Sequence, residues 1–283
     1  MLVFDSHVHL YDRARYPFRA GYSRPERERG DAASLIAEMD AAGVTAALLV
    51  QTPWYGEDNR YLVESMCSYP GRFAAIGYLD DPLAADAPER LARQYHEDRF
   101  RGVRIHLADD RRGFVNDERI VQGLIEGDGD PLLRAARDLG VPVQFLNRVT
   151  NQAAIVAVAD RFPDLWIVVD HLGHPLVAEA PTYPSSRHLF ALAERPNVYV
   201  KVSNHVLSSR EPWPWRDLQD YQQRLLDRFG PRRLMWGTNW PVDTPELGYR
   251  HRLEAVRDHL PHLNDEERAW ILGRTALSLW QPV

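Results

Sequence analysis

The segment Val3-Phe4-Asp5-Ser6-His7-Val8-His9 places two imidazoles two positions apart within a short apolar run. Alternate side chains of a β-strand point to the same face, so His7 and His9 are expected on one side, separated by two residue rises of about 3.3 Å each. Two neutral imidazole nitrogens so placed can bind one metal ion. Two histidines that only form hydrogen bonds at a strand end would show the same spacing. The pair alone therefore does not distinguish a metal site from a structural hydrogen-bonding pair.

Length and composition limit the class of protein. The chain has 283 residues, of which 45% are hydrophobic and 26% charged, enough apolar surface for one large core. This is also a common length for an eight-stranded α/β barrel, so we expect residues 1–283 to form a single domain. The formal net charge is -6, which predicts a small-molecule partner rather than nucleic acid or a membrane surface.

Cysteine content and apolar runs bear on the compartment. Cys67 is the single cysteine, so an intrachain disulfide is impossible and a reducing compartment is expected. No apolar run reaches the roughly eighteen residues needed to cross a bilayer, and no charged and apolar leader precedes His7. The sequence therefore predicts a soluble cytoplasmic protein.

Short apolar runs rich in β-branched residues alternate with stretches of helical spacing. The runs cover residues 2–8, 45–50, 73–78, 102–105, 142–146, 165–169, 198–202 and 234–237, and the helical stretches cover 32–42, 59–69, 87–97, 130–139, 151–161, 189–195 and 218–229. Repeated βα units connect parallel strands, and eight of them favour a closed (β/α)8 TIM barrel of the α/β class. An open doubly wound sheet is the alternative, but no Gly-x-Gly-x-x-Gly follows the first run, so we expect no nucleotide cofactor.

In such a barrel, reactive groups collect at the carboxyl ends of the strands. We expect substrate contacts from Arg104, Gln51, Gln144, Arg148 and Trp54, and catalytic roles for Asn239, His171, His106 and Lys201. Lys201 is the only lysine among 34 basic residues. Within an apolar run it is expected to face the barrel interior and to pair with a carboxylate of the protein or the substrate. A purely structural ion pair is the alternative for both Arg104 and Lys201.

Five motifs in series carry a resemblance to a known family. They are Asp5-Ser-His-Val-His9, Gly102-Val-Arg-Ile-His106, Asp170-His-Leu-Gly-His-Pro175, Val200-Lys-Val-Ser203 and Met235-Trp-Gly-Thr-Asn-Trp-Pro241. With these motifs in this order, the chain resembles the amidohydrolase-related proteins of the metal-dependent hydrolase superfamily. In particular, it resembles the branch of lactonases that act on sugar lactones and on pyrone or muconolactone carboxylates.

The resemblance implies a divalent metal, zinc or manganese, held by His7, His9 and His171, with carboxylate substrates bound by Arg104 and Lys201. Some members of the lactonase branch work without a metal, so the ligands do not prove one. The expected reaction is hydrolysis of a small lactone, anionic or sugar-derived, by attack of water on the carbonyl. A metal-dependent decarboxylase and a catalytically silent binding barrel are the alternatives.

One position departs from the family pattern. The family has an aspartate at the end of the eighth strand, where this chain has Asn239. An amide cannot accept a proton at working pH. Three explanations stay open: a natural branch that uses another base, a site that positions substrate without hydrolysis, and an engineered replacement of Asp by Asn. Under the first, His171, His106 or Asp243 takes the proton.

Two loops carry further candidates. The first loop, residues 11–29, contains six arginines among aromatics and is expected over the barrel mouth, either to attract anionic substrates or simply as a solvated loop. Trp213, Trp215 and Trp54-Tyr55 are expected either to line an apolar wall of the site or to pack against a second copy of the chain in a homo-oligomer.

Overall fold

Eight strands form one parallel sheet in the computed structural model, which describes residues 2–23, 29–109, 115–242, 247–260 and 263–283. They are β1 (Phe4–Val8), β2 (Ala46–Val50), β3 (Phe73–Tyr78), β4 (Val103–His106), β5 (Val143–Leu146), β6 (Ile167–Val169), β7 (Val198–Val202) and β8 (Leu234–Trp236). Each strand pairs with the next one in chain order, and a parallel bridge between Val8 and Trp240 joins the end of the sheet to its beginning. The predicted (β/α)8 barrel is confirmed.

Helices follow the strands and cover the outside of the sheet. Within the described ranges they are α1 (Ala32–Ala42), α2 (Arg60–Ser68), α3 (Ala87–His96), α4 (Glu118–Glu126), α5 (Asp130–Asp138), α6 (Gln152–Arg161), α7 (Arg187–Leu192), α8 (His205–Ser208), α9 (Gln219–Phe229), α10 (Tyr249–Arg257), α11 (Asp265–Ala269) and α12 (Thr275–Leu279), with a π-helical turn at Trp270–Arg274. A short antiparallel ladder, 108–109 with 115–116, follows β4. None of the helices in these ranges has the length and apolar character that a bilayer crossing requires.

The strands are buried on both faces, which is why their sequences are continuously apolar. Val103 and Ile105 of β4 belong to the layer between sheet and helices. A second cluster lies inside the barrel and includes Phe4, Leu48 and Met235 together with Trp280, which follows α12. Trp280 Nε1 donates to the Arg101 carbonyl at 3.1 Å, so the segment after α12 closes the amino-terminal end of the barrel and leaves the carboxyl end for chemistry.

A buried carboxylate joins the first strand to the segment after the last. Asp5 Oδ1 accepts hydrogen bonds from the backbone N–H groups of His7 at 3.0 Å and Thr238 at 2.9 Å. Asp5 Oδ2 accepts from the Thr238 hydroxyl at 2.6 Å and from the Tyr249 hydroxyl of α10 at 2.8 Å. Backbone bonds from His9 N to the Trp240 carbonyl and from Asn239 N to the His7 carbonyl complete the closure. Asp5 therefore fixes the β1 histidines relative to Asn239.

We expect Tyr249→Phe to lower the free energy of unfolding by about 1.5–3 kcal/mol, because it removes a hydrogen bond to a buried charged acceptor. Tyr199→Phe on β7 is the matched control, since the Tyr199 hydroxyl forms no hydrogen bond with any residue that the structure describes. Urea unfolding of both variants measures the difference, and equal stability of the two would contradict the closing role of Asp5.

Candidate active site

Polar side chains from seven of the eight strands converge at the carboxyl end of the barrel. The residues predicted there are nearly all buried: His7, Gln144 and Lys201 are completely inaccessible, and His9, Arg104, His106, His171 and Asn239 expose 8% or less of their surface. Along β4, Arg104 and His106 alternate with the outward-facing Val103 and Ile105, so the strand period places both on the interior face. The structure thus brings together the side chains whose convergence the sequence predicts.

Asp170, directly after β6, lies at the centre of this group. Its Oδ2 atom accepts hydrogen bonds from Arg104 Nε at 2.8 Å and Gln144 Nε2 at 3.1 Å. Its Oδ1 atom lies 3.3 Å from His7 Nδ1 and 3.7 Å from Lys201 Nζ. Asp170 is completely buried, and a buried carboxylate is stable as an anion only when charges and donors surround it. It therefore links side chains from β1, β4, β5 and β7.

The surrounding charges and burial shift the pKa values of Asp170 and Lys201. Burial acts to raise the pKa of Asp170, but Arg104, His7 and Lys201 together hold that pKa well below its usual range. Burial lowers the pKa of Lys201 to about 7, although Asp170 acts in the opposite direction. Asp170 is consequently ionised in the folded protein, and two basic side chains lie beside a single acid.

Hydrogen bonds fix the ring orientation of two histidines. His9 Nδ1 lies 2.8 Å from the Val50 carbonyl, which can only accept, so His9 carries its proton on Nδ1 and a lone pair on Nε2. His171 Nδ1 lies 2.9 Å from the Ser203 hydroxyl, and Arg104 Nη2 lies 3.5 Å from His171 Nε2. Because a guanidinium only donates, His171 also presents a lone pair on Nε2. Burial lowers the pKa of His171 well below its ordinary value, so the ring is neutral.

The donor set suits a divalent cation. His7 Nε2 and His9 Nε2 face each other at 3.2 Å, close to the separation of about 3.3 Å expected for two nitrogens that bind one zinc tetrahedrally at 2.0–2.1 Å. Ligand atoms of His7, Asp170 and His171 also lie within 4.8 Å of one another. His7 therefore contacts both candidate ligand sets: it faces His9 on one side and groups with His171 and Asp170 on the other, and Asp170 is a neighbour to which the sequence prediction assigns no role.

His106 differs from the other imidazoles because its Nε2 atom is buried and has no hydrogen-bond partner among the described residues. Its ring packs edge-on against Tyr78 at 5.1 Å between centroids. Burial, and secondarily Arg104, lower the pKa of His106 well below its usual value, so the ring is neutral. A neutral imidazole with an unpartnered nitrogen can accept a proton.

Asn239 lies beyond β8 in the left-handed region, with φ of +61°. Its Nδ2 donates to Asn204 Oδ1 at 3.2 Å, while its Oδ1 has no partner in the described part of the chain. Arg252 of α10 donates to the carbonyls of Thr238 and Val242 at 2.8 and 3.0 Å and so holds the loop on either side of Asn239. Asp243, the third base considered from the sequence, lies outside the described residues.

Two of the predicted substrate contacts have other partners. Gln51 is buried, and it donates to the Asp58 carbonyl and Asn59 Oδ1 while accepting from Thr52 N, so its amide holds the loop after β2. Gln144 donates to Asp170 and accepts from Lys201 Nζ at 2.5 Å. Sequence position places both amides at the correct rim, but their hydrogen bonds direct them into the protein. In this structure both amides therefore bond to protein groups, and their predicted contact with a substrate stays a prediction.

The remaining predicted residues lie at the rim. Trp54 is buried with its ring 5.7 Å from that of His9, whereas Arg148 after β5 is half-buried. The described arginines of the first loop include Arg15, paired with Glu64, and Arg19, paired with Asp80. Arg24 and Arg27 lie outside the described residues. Trp213 and Trp215 pack against His251 and His205 of their own chain.

Asp170 lies at the centre of these contacts, and the sequence prediction assigns it no role. Asp170 follows the sixth apolar run, but the predicted ligand at that strand end is its neighbour His171. A usable signal was present, because two cations inside a barrel, Arg104 and Lys201, require a carboxylate nearby. Asp170 directly follows the sixth strand, at the same end of the barrel as Arg104 and Lys201, and was therefore the acid that could pair with these two cations.

A (β/α)8 barrel that gathers imidazoles, a carboxylate and two cations at the strand ends defines a class of barrel hydrolases. An amidohydrolase family model matches residues 4–281, and the chain belongs to this family. It is 31% identical over 249 residues to L-fucono-1,5-lactonase of Burkholderia ambifaria, covering 84% of this chain and 80% of that protein. It is 26% identical over 280 residues to 2-pyrone-4,6-dicarboxylate hydrolase of Comamonas testosteroni, covering 91% and 79%.

A solved structure shares both the fold and recognisable sequence. The crystal structure of an amidohydrolase from Burkholderia multivorans with bound zinc superposes with a TM-score of 0.71 at 28% identity, covering 99% of each chain.

We expect Gln144→Leu to lower the free energy of unfolding by at least about 2 kcal/mol, because it leaves Asp170 and Lys201 short of a buried partner. Gln122→Leu on α4 is the control, since Gln122 is exposed and bonds only to Glu126 in the same helix; its effect should stay within about 0.5 kcal/mol. Chemical denaturation compares them, and similar losses would show that Gln144 does not support the buried charges.

Proposed function

We propose that this protein hydrolyses a small lactone, sugar-derived or carboxylate-bearing, to the open-chain hydroxy acid. The observation that carries the proposal is the convergence of His7, His171, Arg104 and Lys201 around Asp170, with His9 beside His7, in a chain similar to two enzymes named for the hydrolysis of cyclic esters. Those names favour hydrolysis over decarboxylation.

The residues that would hold a divalent ion are His7, His9 and His171, of which His7 and His9 would offer their facing Nε2 atoms. When bound, zinc or manganese would polarise the ester carbonyl and lower the pKa of an attacking water. Zinc is supported by the related amidohydrolase structure that contains it. Two facing nitrogens at 3.2 Å and the neutral rings of His7 and His171, whose pKa values burial lowers, support such an ion site.

We assign proton transfer to His106, because burial keeps its ring neutral by lowering its pKa and its Nε2 has no hydrogen-bond partner among the described residues. As the water oxygen bonds to the carbonyl carbon, His106 accepts a proton from that water. The ring C–O bond then breaks, and the departing alkoxide takes the proton back from His106. The sum is the addition of one water, and it requires no acid at position 239.

Asn239 and the basic residues position the substrate. The Asn239 amide is anchored through Nδ2 to Asn204, which leaves Oδ1 to orient the water or a substrate hydroxyl. Arg104 and Lys201 beside the single carboxylate of Asp170 provide a positive potential for the developing oxyanion. Arg148, half-buried after β5, is our candidate for binding a carboxylate on the substrate, because a guanidinium matches carboxylate geometry.

A lactone screen tests the function. Metal-loaded protein is mixed with L-fucono-1,5-lactone, other aldonolactones and 2-pyrone-4,6-dicarboxylate, and acid release is followed with a pH indicator. We expect turnover of at least one lactone, loss of activity on chelation and recovery with zinc. An open-chain ester of similar size is the control for nonspecific hydrolysis. Activity that survives complete chelation would remove the metal from the proposal, and no turnover of any lactone would refute it.

The assignment of His106 predicts that His106→Asn lowers kcat by about 10²- to 10⁴-fold with a smaller change in KM, because only the proton acceptor is lost. His96→Asn on α3, where the imidazole is exposed, is the matched control and should keep full activity. Steady-state kinetics of both variants give kcat and KM. If His106→Asn keeps more than about a tenth of the wild-type kcat, another residue is the proton acceptor.

A further inference from the structure

His7 Nδ1 faces two neighbours of opposite hydrogen-bonding character. Asp170 Oδ1 lies 3.3 Å away, belongs to an ionised carboxylate that only accepts, and has no hydrogen-bond partner among the described residues in the present geometry. Lys201 Nζ, at 3.2 Å, is an ammonium when charged and only donates. A neutral imidazole carries its proton on one nitrogen, so His7 Nδ1 can bond to only one of these neighbours at a time.

The other nitrogen of His7 decides which neighbour it is. His7 Nε2 lies 3.2 Å from His9 Nε2. Because His9 donates from Nδ1 to the Val50 carbonyl at 2.8 Å, its Nε2 has a lone pair and can only accept. A hydrogen bond between the two rings therefore needs the proton on His7 Nε2. His7 Nδ1 then accepts from Lys201, as the 3.2 Å contact allows.

A cation bound between the two rings requires the other tautomer. Both Nε2 atoms must then present lone pairs, so the His7 proton moves to Nδ1, where Asp170 Oδ1 accepts it and the ring stays neutral. Lys201 keeps its bond to Gln144 Oε1 at 2.5 Å. A carboxylate on the far nitrogen of a ligand histidine is a recurrent arrangement that orients the ring and increases its basicity.

We infer that Asp170 and Lys201 are positioning residues with opposite effects on His7: Asp170 stabilises the tautomer that binds a divalent cation, and Lys201 stabilises the tautomer that does not. Asp170 then acts through His7, and its Oδ2 remains committed to Arg104 and Gln144. The inference rests on the metal site of the proposed function but not on the lactone.

Zinc titration of the full-length protein by calorimetry, at fixed pH and after removal of metal, tests this directly. Asp170→Asn should weaken zinc binding by about 10- to 100-fold, whereas Lys201→Met should strengthen it several-fold. Asp138→Asn, a change on an exposed end of α5, should leave it unchanged. General damage to the site would weaken binding in both buried variants, so the opposite signs separate a specific effect from disruption.

Nuclear magnetic resonance of ¹⁵N-histidine-labelled wild-type protein gives a test that does not depend on any variant folding. The His7 proton should be on Nε2 without zinc and on Nδ1 with it. A proton on Nδ1 in both states, weaker zinc binding by Lys201→Met, or wild-type protein that binds no zinc would each overturn the inference. The expected zinc responses in a protein that turns over no lactone would support the inference and refute only the proposed function.

Discussion

The buried carboxylate of Asp170 is the group on which the arrangement of this site depends. An arginine and a lysine cannot remain charged inside a barrel without a nearby anion, because the interior solvates charge poorly. Asp170 meets this need for Arg104 at 2.8 Å and for Lys201 at 3.7 Å. Since the three side chains come from different strands, the ion pairs also fix the register of those strands at the rim. The only lysine of the chain is therefore placed where its charge has a defined partner rather than on the surface.

Asp5 and Asp170 are both buried acids, but their neighbours give them different roles. Asp5 accepts from neutral donors, namely two backbone N–H groups and the hydroxyls of Thr238 and Tyr249. It joins the two ends of the sheet and has no cation at hydrogen-bonding distance in the described part of the chain. Asp170 is surrounded by cations and imidazoles. The donors around a carboxylate, not its burial, thus distinguish the structural acid from the one that acts on the site.

The sequence predicted the barrel well because each strand is buried on both faces. All eight apolar runs contain a strand, with ends that differ by no more than two residues. Helices α4, α8, α10, α11 and α12 were not predicted. Helices α8, α11 and α12 have only four or five residues and α10 is strongly polar, so their apolar stripes are weak, whereas α4 has an apolar face of Ile120, Val121 and Leu124 that the sequence does show. Within the site, strand alternation was enough to bring His7, His9, Arg104 and Lys201 to one rim. The orientation of Gln51 and Gln144 was not predictable, because it depends on hydrogen bonds with loops and with strands distant in sequence.

The amide at position 239 is consistent with this distribution of charge. An aspartate there would add a second carboxylate to a rim that already contains Asp170 beside His7. It would also reduce the positive potential that Arg104 and Lys201 create for an oxyanion. With an amide, the loop after β8 keeps its geometry, since Asn tolerates the φ of +61° and bonds to Asn204. Proton transfer must then come from another group, and a neutral imidazole with an unpartnered nitrogen is available in His106. The neutral amide after strand eight is thus consistent with the proposal that His106 on strand four accepts the proton.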